Sequence, residues 1–273
     1  MGLPLFGHSL RFAVLGSGSS GNCTYIGDGH SGVLIDCGLS TRQILARMAA
    51  VGLEGAPIDA VLITHEHSDH VGAAAVLSRR LTKSGGKRVP FFLTGGTRES
   101  LRPETTPDGA EIVPANVAFS IGRLLVEPFS VPHDTLDPVA WRVCVEGRWA
   151  GVITDLGRGT ALVAEKLRSL SAGVLEFNHD LDLLMEGPYP WSLKQRIRSS
   201  HGHLSNEQAA GLLRDGLGPE LRHLVLGHLS KENNAPGRAR AAADALLAEL
   251  GAEIEVHVAS QDQPLRLPDL PLA

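Results

Sequence analysis

Apolar and polar positions along the chain alternate with two different periods. Short runs rich in β-branched and apolar residues lie between turn signals at Arg11–Leu15, Gly32–Asp36, Ala60–Thr64, Leu124–Val131, Ala140–Val145, Trp149–Thr154, Gly173–Phe177 and Leu221–Leu226, and each predicts a strand. Apolar residues three or four apart at Thr41–Val51, Val71–Lys83, Thr160–Leu170, Asn206–Arg214 and Ala235–Leu250 predict helices. Ser205 and Gln208 make a capping box ahead of the fourth helix, and Gly251 is placed to close the fifth. Most helices follow a strand directly, which implies a layered α/β domain. No repeat breaks the pattern across residues 1–273, read here as one domain, and only the proline-rich end from Pro264 looks loose.

Composition narrows the classes. With 43% hydrophobic and 20% charged residues, the 273-residue chain can bury a sizeable core and lies far from the compositions that stay disordered. A net charge of −5 supplies no general basic field, so a nucleic-acid partner has to be held by a local patch or by the site itself. Cys23, Cys37 and Cys144 are odd in number and lack CxxC spacing, which argues against a disulfide framework or zinc ribbon and fits a reducing cytoplasm. Residues 1–11 lack the features of a signal peptide, and no apolar run approaches the roughly 18 residues of a membrane span. Cytoplasmic location without membrane contact is the expectation.

Gly16-Ser17-Gly18-Ser19-Ser20-Gly21 matches GxGxxG after a strand, and Asp36 follows twenty residues after the first glycine. A dinucleotide site needs a helix directly after the glycines. Asn22–Ser31 instead reads as β-leaning residues and an Asp-Gly turn, which predicts a hairpin. The remaining reading is a tight turn, or a loop in which Ser17, Ser19, Ser20 and Asn22 hold a phosphate oxygen.

The densest chemistry is His65-Glu66-His67-Ser68-Asp69-His70, directly after the apolar run Ala60–Thr64 and before a helix. In extended chain, residues two apart point the same way, so His65 and His67 can close on one metal while the turn into the helix aims Asp69 and His70 at a second. A solvated polar turn explains this concentration poorly. Histidine and carboxylate without cysteine favour a catalytic site that keeps a position for water. His133, Asp155 and His228 also follow apolar strands directly and complete the candidate set.

On these residues the chain resembles the metallo-β-lactamase fold superfamily, whose pattern is an early aspartate, HxHxDH, a histidine, an aspartate and a final histidine. The resemblance covers nearly the whole chain, and every metal position of the pattern is filled. It implies an αββα sandwich of four layers, two mixed β-sheets flanked by helices. It also implies two divalent ions, zinc, manganese or iron. His65, His67 and His133 would hold the first, Asp69, His70 and His228 the second, with Asp155 between them and Asp36 orienting the site from behind. Gly16–Asn22, His133-Asp134, Asn178-His179-Asp180, Gly187–Trp191, Gly202–Ser205 and His228–Asn234 resemble the YycJ-like (WalJ-type) branch more closely. That branch implies a 5′-to-3′ exonuclease acting on DNA.

The expected reaction is attack on phosphorus by a hydroxide between two ions about 3.5–4 Å apart. Asp69 would align the nucleophile, and His203 or His179 would protonate the leaving oxygen. Trp191, beside Tyr189, could stack on bases while Lys194 and Arg196 meet phosphates; a solvated helix face with Trp191 packed inward is the plainer alternative. Arg79, Arg80, Lys83, Lys87 and Arg88 read as solvated cations, and His8, His30, His201, His223 and His257 as surface or structural histidines. The competing functions are a small-molecule hydrolase of the same fold (cyclic phosphodiesterase, thioesterase or lactonase) and a non-catalytic cofactor binder built on the glycine turn. Oligomeric state is open, a dimer included.

Overall fold

Strands that are apolar on both faces build the middle of this computed structural model, which describes residues 9–86 and 88–272. The readings of His8 and Lys87 lie outside the described residues. The first half runs β1 (Ser9–Gly16), β2 (Cys23–Gly27), β3 (Gly32–Ile35), α1 (Thr41–Ala50), β4 (Ala60–Leu62), α2 (Ser68–Val71), α3 (Ala74–Gly85), β5 (Phe91–Leu93), α4 (Gly95–Ser100) and β6 (Ala110–Ile112). The second half runs β7 (Phe119–Ile121), β8 (Leu124–Ser130), β9 (Val139–Val145), β10 (Arg148–Ile153), α5 (Ala161–Arg168), β11 (Leu170–Glu176), α6 (Leu181–Glu186), α7 (Trp191–Ile197), α8 (Asn206–Gly216), β12 (His223–Gly227), α9 (Pro236–Leu250), β13 (Glu255–Val258), β14 (Leu265–Arg266) and β15 (Leu270–Pro271).

One sheet has the order β14-β1-β2-β3-β4-β5-β6, with β15 also on β1, and the other β13-β12-β11-β10-β9-β8-β7. Both are mixed, parallel from β3 to β6 and from β10 to β13 and antiparallel elsewhere. Side chains alternate across each strand. Leu10, Phe12 and Val14 therefore enter the core between the sheets, where they join Trp141, Val143 and Val174. Ala13 and Leu15 turn to the opposite face, against Ile44 and Met48 of α1 and Leu77 of α3. On the far side, Leu175, Leu224 and Leu226 pack under α5, α8 and α9 through Leu167, Leu213 and Ala243. The result is the expected αββα layering.

Two local expectations need correction. The helix expected over Val71–Lys83 is broken into α2 and α3, because Cys37 N–H takes the His70 carbonyl at 2.8 Å and Ala73 N–H is turned to the Cys37 carbonyl at 2.9 Å. That diversion ties the metal-loop sequence to the end of β3. The chain end from Pro264 is not loose: β14 and β15 pair with β1, and Leu267 is buried with its N–H on the Phe12 carbonyl. After Gly16–Gly21 comes β2 rather than a helix, and β2 turns into β3 through Asp28, whose carboxylate accepts from His30 and Ser31 N–H. The hairpin reading holds, and a dinucleotide cradle is excluded. The capping box at Ser205 and Gln208 and the left-handed Gly251 are both formed. No helix among the described residues is long and apolar enough to cross a membrane.

Candidate metal centre

The same edge of both sheets collects the ends of β3, β4, β10, β11 and β12, and with them Asp36, the His65–His70 loop, Asp155, Glu176 and His228. Asp36, Asp155 and His228 have φ of 60°, 61° and 54°, a left-handed conformation that costs a non-glycine residue on the order of 1–3 kcal/mol and persists where the surroundings over-determine it. Each is the residue at which the chain stops being strand and turns a polar group into the site.

Two overlapping groups of donors result. His65 Nε2 and His133 Nε2 lie 3.0 and 3.4 Å from His67 Nδ1. Asp69 Oδ2 is 3.4 Å from both His70 Nε2 and His228 Nε2. Asp155 faces both groups, with Oδ2 3.3 Å from His70 Nε2 and Oδ1 3.6 Å from His228 Nε2. Four ligands around one zinc at the usual bond lengths stand about 3.3–3.4 Å apart. The donors are therefore already at coordination spacing. Asp155 Oδ2 is buried and accepts no hydrogen bond among the described residues, a costly state that a cation would relieve. On chemistry and spacing the residues fit two divalent ions.

Charge supports the same reading. Burial works against protonation of His70 and His228, but Asp155, Asp69 and Asp36 around His70 outweigh it and raise that imidazole well above its ordinary value. For His228, Asp155, Asp69 and Glu176 raise it to about 10. Without a metal, protons neutralise this carboxylate cage. His65 and His133 are shifted the other way by burial and by neighbouring imidazoles, despite Asp155, and offer neutral ring nitrogens.

Behind the donors, Asp36 accepts from Thr64 N–H at 2.9 Å and from His70 Nδ1 at 2.7 Å, which fixes the His70 tautomer and turns its Nε2 to the centre. Glu176, which the alternation of apolar residues places simply within a strand, does more. Its Oε1 accepts from His203 Nδ1, His228 Nδ1 and Asp155 N–H at 2.8, 3.0 and 3.2 Å, and its Oε2 from Leu156 and Leu204 N–H, both at 3.0 Å. Burial pushes this carboxyl up, yet the His203 charge and the two imidazole hydrogen bonds win and hold it down at about 2. The signal was a lone carboxylate inside Val-Leu-Glu-Phe, since a buried charge has to be paired.

The other candidates separate. A cavity of about 300 Å³ opens over the donors and is lined by Ser19, Asp134, Tyr189, Arg196, His203 and Ser230 among others. A larger groove of about 1130 Å³ between α1, β5 and β7 has no histidine in its lining and no candidate ligand set. Arg196 reaches the cavity with its Nε 2.5 Å from Asp134 Oδ2. Trp191 is exposed rather than packed inward. Lys194 departs from the phosphate-binding expectation: its amine is drawn down onto the carbonyls of Met185 and Gly187, both at 2.7 Å, where it caps the end of α6. Ser17 and Asn22 also turn to internal duties. The Ser17 hydroxyl accepts from His228 N–H at 2.8 Å, and the Asn22 amide bonds Gly18 in both directions. Ser20 is exposed, with its N–H on Gln261. His179 is buried away from the cavity lining, and burial brings its imidazole down to about 4, so it is uncharged near neutrality. His203 is raised above its ordinary value, because Glu176 and Asp155 outweigh burial.

A family model of the metallo-β-lactamase superfamily matches residues 16–163. Exodeoxyribonuclease YycJ of Bacillus anthracis is 33% identical over 265 residues, covering 94% of this chain and 98% of the relative. The chain belongs to the metallo-β-lactamase superfamily. Exodeoxyribonuclease WalJ of Streptococcus pneumoniae is 35% identical over 226 residues, 82% of this chain and 83% of that one. Among solved structures, the metallo-β-lactamase fold protein YhfI of Bacillus subtilis superposes with a TM-score of 0.71 at 15% identity, covering 95% of this chain and 100% of that one, a likeness of fold. Membership in the superfamily implies divalent-metal binding, for which these His and Asp clusters are the candidate ligands.

Proposed function

We propose that this metallo-β-lactamase superfamily member is a cytoplasmic, divalent-metal-dependent exonuclease that removes nucleotides from DNA in the 5′-to-3′ direction. The observation that carries the reading is the convergence of seven donors, from strand ends, the loop after β4 and α2, beneath a cavity of about 300 Å³ whose rim supplies Arg196, Tyr189 and Ser19. That volume is at the lower end for ligand sites, matched to a chain terminus rather than a duplex. The names of the two relatives point to the same substrate class.

In this reading His65, His67 and His133 would hold one ion and Asp69, His70 and His228 the other, with Asp155 facing both groups. Zinc, manganese and iron all accept this ligand set. When bound, the ions would lower the pKa of water to give a nucleophile at neutral pH and would polarise a phosphate oxygen. The chain's own groups do the rest. Asp69, half-exposed at the cavity floor, accepts a hydrogen bond from the attacking water and so aims its lone pair. His203, kept protonated by Glu176, donates its proton to the leaving oxygen, and Glu176 stays ionised throughout. Arg196 leaves Asp134 for the incoming phosphate, while Tyr189 and the exposed Trp191 offer flat faces to unstacked bases. Lys194, Ser17 and Asn22 act by holding α6, His228 and the glycine loop in place.

The test is digestion of end-labelled linear duplex DNA with manganese or zinc beside a chelator control. Stepwise shortening from the 5′ end that stops with chelator is expected. Intact DNA with metal-loaded protein refutes the reading and transfers it to a small-molecule ester or thioester.

A further inference from the structure

A second cluster of metal-type donors lies at the other end of the second sheet. His223 opens β12, and Glu255 and His257 lie two apart on the edge strand β13. The parallel register sets His223 beside Glu255 and Val225 beside His257, so all three side chains share the face of Val225. Their distance in sequence hides this, and the two histidines read singly as structural. The donor atoms lie close together, with each ring nitrogen facing its own oxygen of the Glu255 carboxylate. His223 Nδ1 is 3.2 Å from Glu255 Oε2, His257 Nε2 is 3.4 Å from Glu255 Oε1, and the two ring nitrogens are 3.5 Å apart.

We propose that His223, Glu255 and His257 form a further zinc-binding site, separate from the catalytic centre, that clips the edge strand β13 to β12. Three observations support it. The two ring nitrogens stand close to the roughly 3.3–3.4 Å between ligands of one tetrahedral zinc, and the Glu255 carboxylate presents one oxygen to each ring. The strand backbones fix the set in advance: four consecutive register pairs hold β13 against β12, and Arg240 Nη1 bonds the Val256 carbonyl between the two β13 ligands at 2.7 Å. The environment also suits the cation. His257 is half-buried, and the exposed Glu255 carboxylate supplies negative charge facing both rings. Two imidazoles and a carboxylate are a borderline set that prefers zinc or its late first-row neighbours to magnesium or calcium. His223 lies five residues before His228 on the same strand, about 16 Å along it at the usual rise, so one ion cannot serve both places.

The experiment is equilibrium dialysis of the full chain and of Glu255→Ala and His257→Ala against buffered zinc, with metal counted per chain and the hydrolysis rate measured on the same samples. Glu255 is exposed, so its removal leaves the fold intact. The expected result is one zinc fewer per chain in each variant, with an unchanged rate. Equal zinc in all three proteins overturns the site, and a loss of zinc that removes hydrolysis in proportion overturns its separateness from the catalytic centre.

Discussion

Replacing Glu176 by Gln is the sharpest perturbation the site offers, because it changes one heavy atom in a group that is completely buried. The carboxylate accepts five hydrogen bonds, from Asp155, Leu156 and Leu204 N–H and from His203 and His228 Nδ1. An amide has one acceptor oxygen and one donor end. If the donor end takes the place of Oε2, Leu156 and Leu204 N–H both face another donor. Two unsatisfied buried donors cost roughly 2–6 kcal/mol together. If it takes the place of Oε1, Asp155 N–H is orphaned and the Nδ1 atoms of His203 and His228 have to accept, which holds a proton on the His228 Nε2 that faces Asp69 and that zinc has to displace. Stability then falls less, and zinc affinity falls by about 10- to 100-fold, the usual effect of losing a group that orients a ligand. Either arrangement is large against a total stability of about 5–15 kcal/mol. Thermal melts of metal-free protein and zinc titrations should therefore show a melting temperature lower by roughly 5–20 °C, weaker zinc, or both. A Glu176→Gln protein with the melting temperature and zinc affinity of the wild type would refute the network.

Other expectations follow from the same geometry. His228 is raised to about 10 and His70 is also raised, so their protonation stabilises the metal-free fold fully below the ordinary histidine value, and this contribution is lost as pH climbs through about 10. Zinc has to displace those protons, so its apparent affinity should strengthen with pH and its binding heat should vary with the ionisation enthalpy of the buffer; a buffer-independent heat would contradict this. Gly38→Ala would set a Cβ 1.7 Å from the Asp69 carbonyl oxygen, which is backbone and cannot swing away. It should push the metal loop aside, costing roughly 1–3 kcal/mol in a denaturant melt and lowering zinc content. Lys194→Met should lower stability by roughly 1.5–3 kcal/mol through its two lost carbonyl bonds, with the salt dependence of DNA binding unchanged. Arg196→Ala should instead weaken DNA binding and flatten its salt dependence by about one charge.

What the sequence disclosed, and what it hid, follows from how locally each feature is determined. His65, His67, Asp69 and His70 occupy one turn after one apolar strand, and the period-2 rule already aims them, so their grouping needs nothing from the rest of the chain. His133, Asp155 and His228 were recognisable by the same local feature, a polar residue directly after a buried strand, and the left-handed φ of Asp155 and His228 is the backbone expression of that abrupt turn. The layered α/β character was legible because most helices follow a strand directly, whereas the pairing of two sheets came only with the family resemblance. The hidden features depend on partners distant in sequence. The two-residue β14 and β15 carry no period and exist because β1 offers them a free edge. Lys194 looked like a phosphate ligand because a lysine in an amphipathic helix normally reaches solvent. Its direction is set by the open carbonyls at the end of α6, and a long flexible chain finds the nearest acceptors. Glu176 shows that a partner need not be known for its existence to be inferred. A carboxylate between Leu175 and Phe177 on a buried strand requires several donors, and the donors it found are the histidines that the metal pattern and the leaving-group chemistry had each singled out independently.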